Sequence, residues 1–368
     1  MLETEVKEIE EEKEELPEEL ETPFNPKDID ITTQQISLDA IINRLKEGEI
    51  DLNTDFQRHA DLWSKQTQSR LIESILIRFP LPAFYFDTSD DDNWLIVDGL
   101  QRLSTLSNFV LAKENPLKLT GLEFLTEYDG ITYEKLPRTM KRRIKETPIT
   151  AYMIRPGTPD DVKYCLFSRI NTGGLVLKSQ EIRHALNQKG NSVKVLKEIA
   201  EDKRFKDIVS VSDKRMQDRE LVLRFFSFRL KKYTDYKPPM SKFLNDTMKS
   251  INHLGTNNII QIKNSFFSAL DTSYKLFSED LFSKSLVTKD AKKVLNRGLF
   301  EVWTVLLSQL SENEIKNLLT HKEKIIQEFI SLLKDRNFDR FITSSTTGKA
   351  QVTLRFEKIN ELIKRNIN

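Results

Sequence analysis

The hexapeptide Val97-Asp98-Gly99-Leu100-Gln101-Arg102 places a carboxylate, a glycine, an amide and a guanidinium side by side, just ahead of an amphipathic run over residues 100–111. In that run Leu100, Leu103, Leu106 and Val110 share one helical face, and Gln101, Thr105 and Asn108 lie on another. A helix that starts directly after a strand offers first-turn N–H groups with no intrahelical partner, and its dipole puts partial positive charge there. Such a turn suits a phosphate. Gly99 would let the backbone approach closely, and Arg102 would add a two-pronged cation. The spacing Asp98-x-x-Gln101 also spells a capping box, which satisfies a helix start with no ligand present. Spacing alone leaves both readings open.

Two further clusters carry reactive or binding groups. The first lies in Phe56-Gln57-Arg58 and in the segment from Trp63 to Phe79. On the helix expected from Gln66, the residues Leu71, Ile72, Ile75, Leu76 and Phe79 form a core face, with Arg70, Glu73 and Ser74 roughly opposite. Glu73 there could hold a magnesium ion or orient a water; the plainer expectation is a surface pair between Arg70 and Glu73. Arg58 and Trp63 could equally serve packing and capping. The second cluster is Arg169-Ile170-Asn171-Thr172-Gly173-Gly174, followed by Ser179-Gln180-Glu181-Ile182-Arg183. Paired glycines after Asn-Thr mark a turn with exposed N–H groups, either an anion-binding nest or a tight loop before a helix.

Other chemistries find no support. The only Gly-Lys pair, Gly348-Lys349, is followed by Ala350 and lacks the upstream glycine of a Walker A loop. The four histidines, His59, His184, His253 and His321, are dispersed, and the single cysteine, Cys165, is expected as a buried thiol, so a zinc enzyme is not expected. No Gly-x-Ser-x-Gly elbow occurs.

The elements that must position these groups follow from composition and period. A chain of 368 residues accommodates two domains. Residues 1–22 hold eleven glutamates against two lysines, a net of −9, which leaves +10 on the remainder of a chain whose total is +1. A body of that charge favours a polyanion such as nucleic acid, or is simply solubility charge. The acidic segment is expected as a solvated, disordered tail, or as a strip covering a basic cleft. Pro23 and Pro26 break it and open a domain over residues 23–190, in which strand-like runs at 29–37, 84–86, 94–97 and 147–154 alternate with helical segments. Residues 89–93 read as a polar hairpin loop. Residues 191–368 read as all-helical, with apolar spacing over 221–230, 266–277, 294–310 and 325–333, and Phe225, Phe226 and Phe228 assigned to the core. No apolar stretch reaches the roughly 20 residues of a membrane span, and the acidic first residues do not form a secretory signal, so a cytoplasmic location is expected.

Taken together, Phe56-Gln57-Arg58, Trp63, residues 70–76, Pro80-Leu81-Pro82, Val97-Asp98-Gly99-Leu100-Gln101-Arg102-Leu103 and Arg169-Ile170-Asn171-Thr172-Gly173-Gly174 resemble the N-terminal domain family of the GmrSD restriction endonucleases, over residues 30–190. Residues 218–228 resemble the helix that follows in that family. The resemblance implies an α+β chain, with a ParB/sulfiredoxin-like N-terminal α/β domain whose Asp-Gly-x-x-Arg turn meets nucleotide phosphates, then an all-helical domain. It also implies a role in defence against phage, with DNA and a nucleoside triphosphate, magnesium-bound, as ligands. In that reading Glu73, Asp98, Gln101 and Arg102 are catalytic, and Glu73 also assists the magnesium ion. Arg58, Arg70, Gly99, Leu100, Asn171, Thr172, Gly173 and Gly174 bind the nucleotide. The family turn is Asp-Gly-Gln-Gln-Arg, and Leu100 stands in its third place. Three readings therefore stay open: a triphosphate-hydrolysing subunit, a non-catalytic nucleotide- or DNA-binding switch that acts with a partner nuclease, or an interaction scaffold whose motif is only structural. The grouped His and Asn of an HNH nuclease do not occur, so nuclease activity is not carried over.

Overall fold

The structure is a computed structural model that describes residues 7–10, 26–50, 52, 63–170, 178–188, 190–287 and 293–367. The expected Phe56, Gln57, Arg58 and His59, and the turn Asn171, Thr172, Gly173 and Gly174, lie outside the described residues. The chain divides into an α+β unit, residues 21–186, and a helical unit made of residues 187–368 together with residues 1–20.

In the α+β unit the strands β1 (Ile31–Ser37), β2 (Phe84–Asp87), β3 (Leu95–Asp98) and β4 (Pro148–Ile154) form one sheet in the order β1-β4-β2-β3. β4 runs antiparallel to β1 and parallel to β2, while β2 and β3 pair antiparallel with Tyr85 opposite Asp98. Period-2 alternation in β4 buries Ile149, Ala151 and Met153, and β1, rich in Thr and Gln, is a mostly exposed edge. The helices are α1 (Leu38–Glu47), α2 (Lys65–Leu76), α3 (Leu100–Leu106), α4 (Arg138–Glu146), α5 (Asp160–Ile170) and α6 (Ser179–Leu186). Ser37 caps α1 and Ser64 caps α2 by accepting from first-turn N–H groups. The core joins Leu38 and Ile41 of α1, Ile72 and Ile75 of α2, Phe84 and Phe86 of β2, and Leu103 and Leu106 of α3.

The helical unit contains, among the described residues, α7 (Asn191–Glu201), α8 (Lys203–Val209), α9 (Gln217–Leu230), α10 (Met240–Asn252), α11 (Thr256–Phe277), α12 (Arg297–Leu307), α13 (Glu312–Thr320), α14 (Lys322–Lys334), α15 (Arg336–Thr343) and α16 (Lys349–Ile367). Phe225, Phe226 and Phe228 are core, as expected, and pack with Phe266, Phe243 and Phe356. No helix among the described residues is long and apolar enough to cross a membrane.

The acidic segment departs from a purely solvated tail. Residues 7–10 run along the helical unit as a short extended piece, with bridges from Lys7 to Val211 and from Ile9 to Leu295. Ile9 is buried in the helical core, and the Glu10 carboxylate accepts from Asn296 Nδ2 at 2.6 Å. Burial of one apolar side chain and backbone pairing hold this stretch, whereas the charge pattern alone suggested solvation. The two units exchange the chain near Leu186, slightly before the boundary expected at residue 190.

At the centre of the helical unit a carboxylate with no exposed surface, Glu301 of α12, lies between two guanidinia. Arg224 of α9 donates to its Oε1 at 2.6 Å and Arg355 of α16 to its Oε2. Arg355 also donates to the Thr346 carbonyl, and Arg224 also pairs with Glu220 at 2.9 Å. Removing the shared acceptor leaves the fully buried Arg355 without a carboxylate and Arg224 with Glu220 alone, so Glu301→Ala is expected to destabilise the unit by about 3–5 kcal/mol. Urea unfolding of the full chain measures this, and an unchanged midpoint would contradict it.

Candidate functional site

The strand-to-helix turn at residues 98–102 has the backbone that the sequence leads one to expect, held by different contacts. Asp98 ends β3, and Gly99 is the helix N-cap in the left-handed region at φ 104, with no side-chain cap. The capping box between Asp98 and Gln101 does not form. Asp98 is instead engaged by Arg102, whose Nη2 meets Asp98 Oδ2 at 2.7 Å. The same guanidinium donates to the carbonyls of Pro82 and Ala83 and stacks 4.2 Å from the Phe84 ring centre. Arg102 is only 8% exposed. Burial draws its pKa down, and the Asp98 charge opposes that.

Arg102 therefore clasps the entry of β2 to the exit of β3, using three of its five N–H donors within the protein. Gly99 follows from that clasp. A Cβ there would sit 2.4 Å from Phe84 Cδ1, so the close approach that needs a glycine is to a core ring. At the start of α3 the first-turn N–H groups have no intrahelical partner, and the Asp98 and Gln101 side chains beside them are half-buried. The Gln101 side chain is half-buried and makes no hydrogen bond among the described residues, while its carbonyl accepts from Thr105 Oγ1 at 2.7 Å. Leu100 packs on the core. Beside the turn, Tyr85 stacks on Tyr152 with ring centres 4.7 Å apart; burial, then Tyr152, then Asp98 push its phenol pKa up. After α3 the chain continues into a π-helical turn, Ser107–Leu111.

Glu73 has a different place from the one expected. It is 3% exposed, not set on the outer face of α2. Its Oε1 accepts from the Phe124 and Leu125 N–H groups at 2.7 and 2.8 Å, and its Oε2 from the Glu123 N–H at 3.0 Å. Burial raises its pKa, but those three N–H groups and the Arg70 charge outweigh it and hold the carboxyl below its ordinary value. Arg70 pairs with Glu123 at 2.8 Å rather than with Glu73. Both Glu73 oxygens are thus committed to one loop, and the donor set does not fit a magnesium site. Among the described residues no group of three His, Cys, Asp or Glu side chains could hold a metal ion.

A second polar cluster lies at the other end of β2 and has no local sequence signal. Lys163 of α5 reaches Asp87 Oδ2 at 2.7 Å and Ser89 Oγ at 2.6 Å, both charges being almost fully buried. Only a buried lysine beside an Asp-x-Ser turn could have hinted at it. Trp63 is half-buried, and its carbonyl accepts from Gln68 Nε2 at 3.0 Å, a packing and capping part. Cys165 is half-buried, with burial pushing its thiol pKa up. A cleft of about 710 Å³ lies in the helical unit, between α14, α15 and α16, and its charged lining pairs internally, as in Lys358 with Glu361 at 3.6 Å.

The α+β unit is thus a domain built around an Asp-Gly-x-Gln-Arg turn locked by its own arginine. Residues 38–188 match the family model described as GmrSD restriction endonuclease, N-terminal domain. The match stops short of α9, so the expected likeness at residues 218–228 lies beyond it. No curated protein and no solved structure matches the chain.

Two outcomes follow from these contacts. Gly99→Ala forces a left-handed alanine against Phe84, and the backbone alone is expected to cost roughly 1–3 kcal/mol, read as a lowered thermal midpoint. Glu73→Gln is expected to lower stability at pH 7. A carboxyl with a depressed folded pKa stabilises above its unfolded value of roughly 4.3 and loses that contribution as pH falls through the folded value. The gap between wild type and Glu73→Gln should therefore shrink between pH 5 and still lower pH; urea midpoints across that range check it, and a gap that widens in acid would contradict it.

Proposed function

We propose that this chain is a nucleotide-binding, DNA-associated component of a restriction or antiphage defence system, with the turn at residues 98–102 as its phosphate seat. The observation that carries the reading is the family match over residues 38–188, together with a turn whose backbone is held rigid from behind. A pre-set helix start presents N–H groups to an anion with little ordering left to do. Within the turn the roles divide. Arg102 and Gly99 shape it, the first-turn N–H groups receive the phosphate, and Gln101 supplies the side-chain amide that reaches its oxygens. The +10 charge outside the acidic segment supports a DNA partner.

A second reading is a non-catalytic switch, in which the turn holds a nucleotide and a partner nuclease cuts. Two observations favour it: Leu100 packs on the core where the family carries a glutamine, and Arg102 is buried with three of its donors on protein acceptors. In both readings Glu73 positions the loop at residues 123–125 and takes no part in holding magnesium.

Calorimetry with ATP and GTP, with and without magnesium, and phosphate release by wild type and Gln101→Ala test the proposal. Binding with phosphate release that falls about a hundredfold in Gln101→Ala supports a hydrolytic turn. Binding without release selects the switch. Failure of the wild type to bind any nucleoside triphosphate sinks both.

A further inference from the structure

Periodicity puts Phe79 on the core face of α2, yet it is 53% exposed, and Phe124, some distance along the chain, is 62% exposed. Their ring centres are 6.3 Å apart with the planes at 67°. Neither ring is loosely placed. The Glu73 carboxylate holds the Phe124 N–H at 2.7 Å, and the Phe79 N–H donates to the Ser74 carbonyl at 2.8 Å. Between the end of α2 and Phe79, Arg78 adopts φ 65, an uncommon conformation for a non-glycine residue. A buried acid and a strained turn together keep two large apolar side chains in water.

The surroundings of this pair are cationic. Arg78 is exposed, and its side chain has no partner among the described residues. Arg143 Nη1 donates to the carbonyl of Leu76 at 2.7 Å, which fastens α4 to the end of α2. α4 carries Arg138, Lys141, Arg142, Arg143 and Lys145 against one acid, Glu146. Of these, Lys141 is taken up by Glu134 and Lys145 by Asp39. Arg138 is exposed with no partner among the described residues, and exposed Arg142 has only a 3.8 Å contact to Glu146. Of the acids on the loop beside Phe124, Glu123 is paired with Arg70, Glu127 is exposed, and exposed Asp129 accepts from the Leu122 N–H at 3.3 Å.

We propose that Phe79 and Phe124 form a stacking platform for an unpaired base of single-stranded DNA, with Arg78 and the exposed guanidinia of α4 on the adjoining phosphates. The inference rests on the DNA-associated reading above and gives it a surface. Exposed rings offer any base a π-face, and neighbouring cations follow the backbone.

The test uses the full chain and a fluorescein-labelled single-stranded oligonucleotide of mixed sequence, with its duplex as comparison, read by anisotropy. Wild type is expected to prefer the single strand. Replacing both rings with leucine keeps their apolar character and, because both are exposed, the thermal midpoint, and it is expected to weaken single-strand binding on the order of tenfold. Nucleotide binding in that variant should be unchanged. Arg78→Ala should reduce the salt slope of single-strand binding by about 0.7. If wild type binds DNA and the double leucine variant binds equally well, or if wild type prefers the duplex, the platform is overturned and the DNA-associated reading stands. If wild type binds neither oligonucleotide, both fall together.

Discussion

The α+β unit depends on one buried guanidinium. Arg102 sits in the first turn of α3, reaches back past its own helix start to Asp98, and at the same time takes the carbonyls of Pro82 and Ala83, where the chain enters β2. A planar group with five donors in a fixed fork can reach three acceptors while its face stacks on the Phe84 ring, a combination a lysine ammonium does not offer. The Phe84 ring beneath it explains why residue 99 has no side chain. The geometry of the turn is therefore set by packing behind it, before any ligand is considered, and a site that needs N–H groups aimed at an anion inherits rigidity from the core.

The same device recurs. Glu73 ties α2 to a loop fifty residues further on, Lys163 ties α5 to the end of β2 through Asp87, and Glu301 ties α9, α12 and α16 together. Buried charges of this kind contribute little net stability compared with well-packed apolar side chains, because desolvation offsets their attraction. They do penalise any arrangement that leaves one of them unpaired. In each case the partners are distant in the chain, so these contacts specify which elements meet. The acidic N-terminal stretch joins this scheme at Glu10, which meets Asn296 and Arg297.

Function is laid over this frame by the groups that the frame leaves unspent. At the turn these are the N–H groups and Gln101; at the end of α2 they are two rings and an arginine. In the proposed reading the first set receives a phosphate and the second a base with its backbone. Glu73 holds the second set together, since it fastens the Phe124 N–H to the helix that leads into Arg78 and Phe79.

Local pattern was enough to place β1, β2, β3 and β4 and the start of α3, because strand and helix periods and turn residues act over a few positions. It was also enough to single out residues 98–102 and to assign residues 191–368 to helices. It could not say what each polar group in those elements touches. Arg102 looked like a cation for a ligand and is a clasp; Asp98 and Gln101 looked like a capping box and form none; Glu73 looked like a surface or metal-binding acid and is a buried anchor. Phe79 had the spacing of a core residue and lies in water. For Arg102 and Glu73 the outcome was decided by partners many residues away, and for Asp98 and Phe79 by the local backbone geometry; a hydrophobic periodicity carries information about neither. Sequence by itself settled the turn and the elements around it, whereas tertiary structure decided which of its side chains are consumed in holding it and which remain for chemistry.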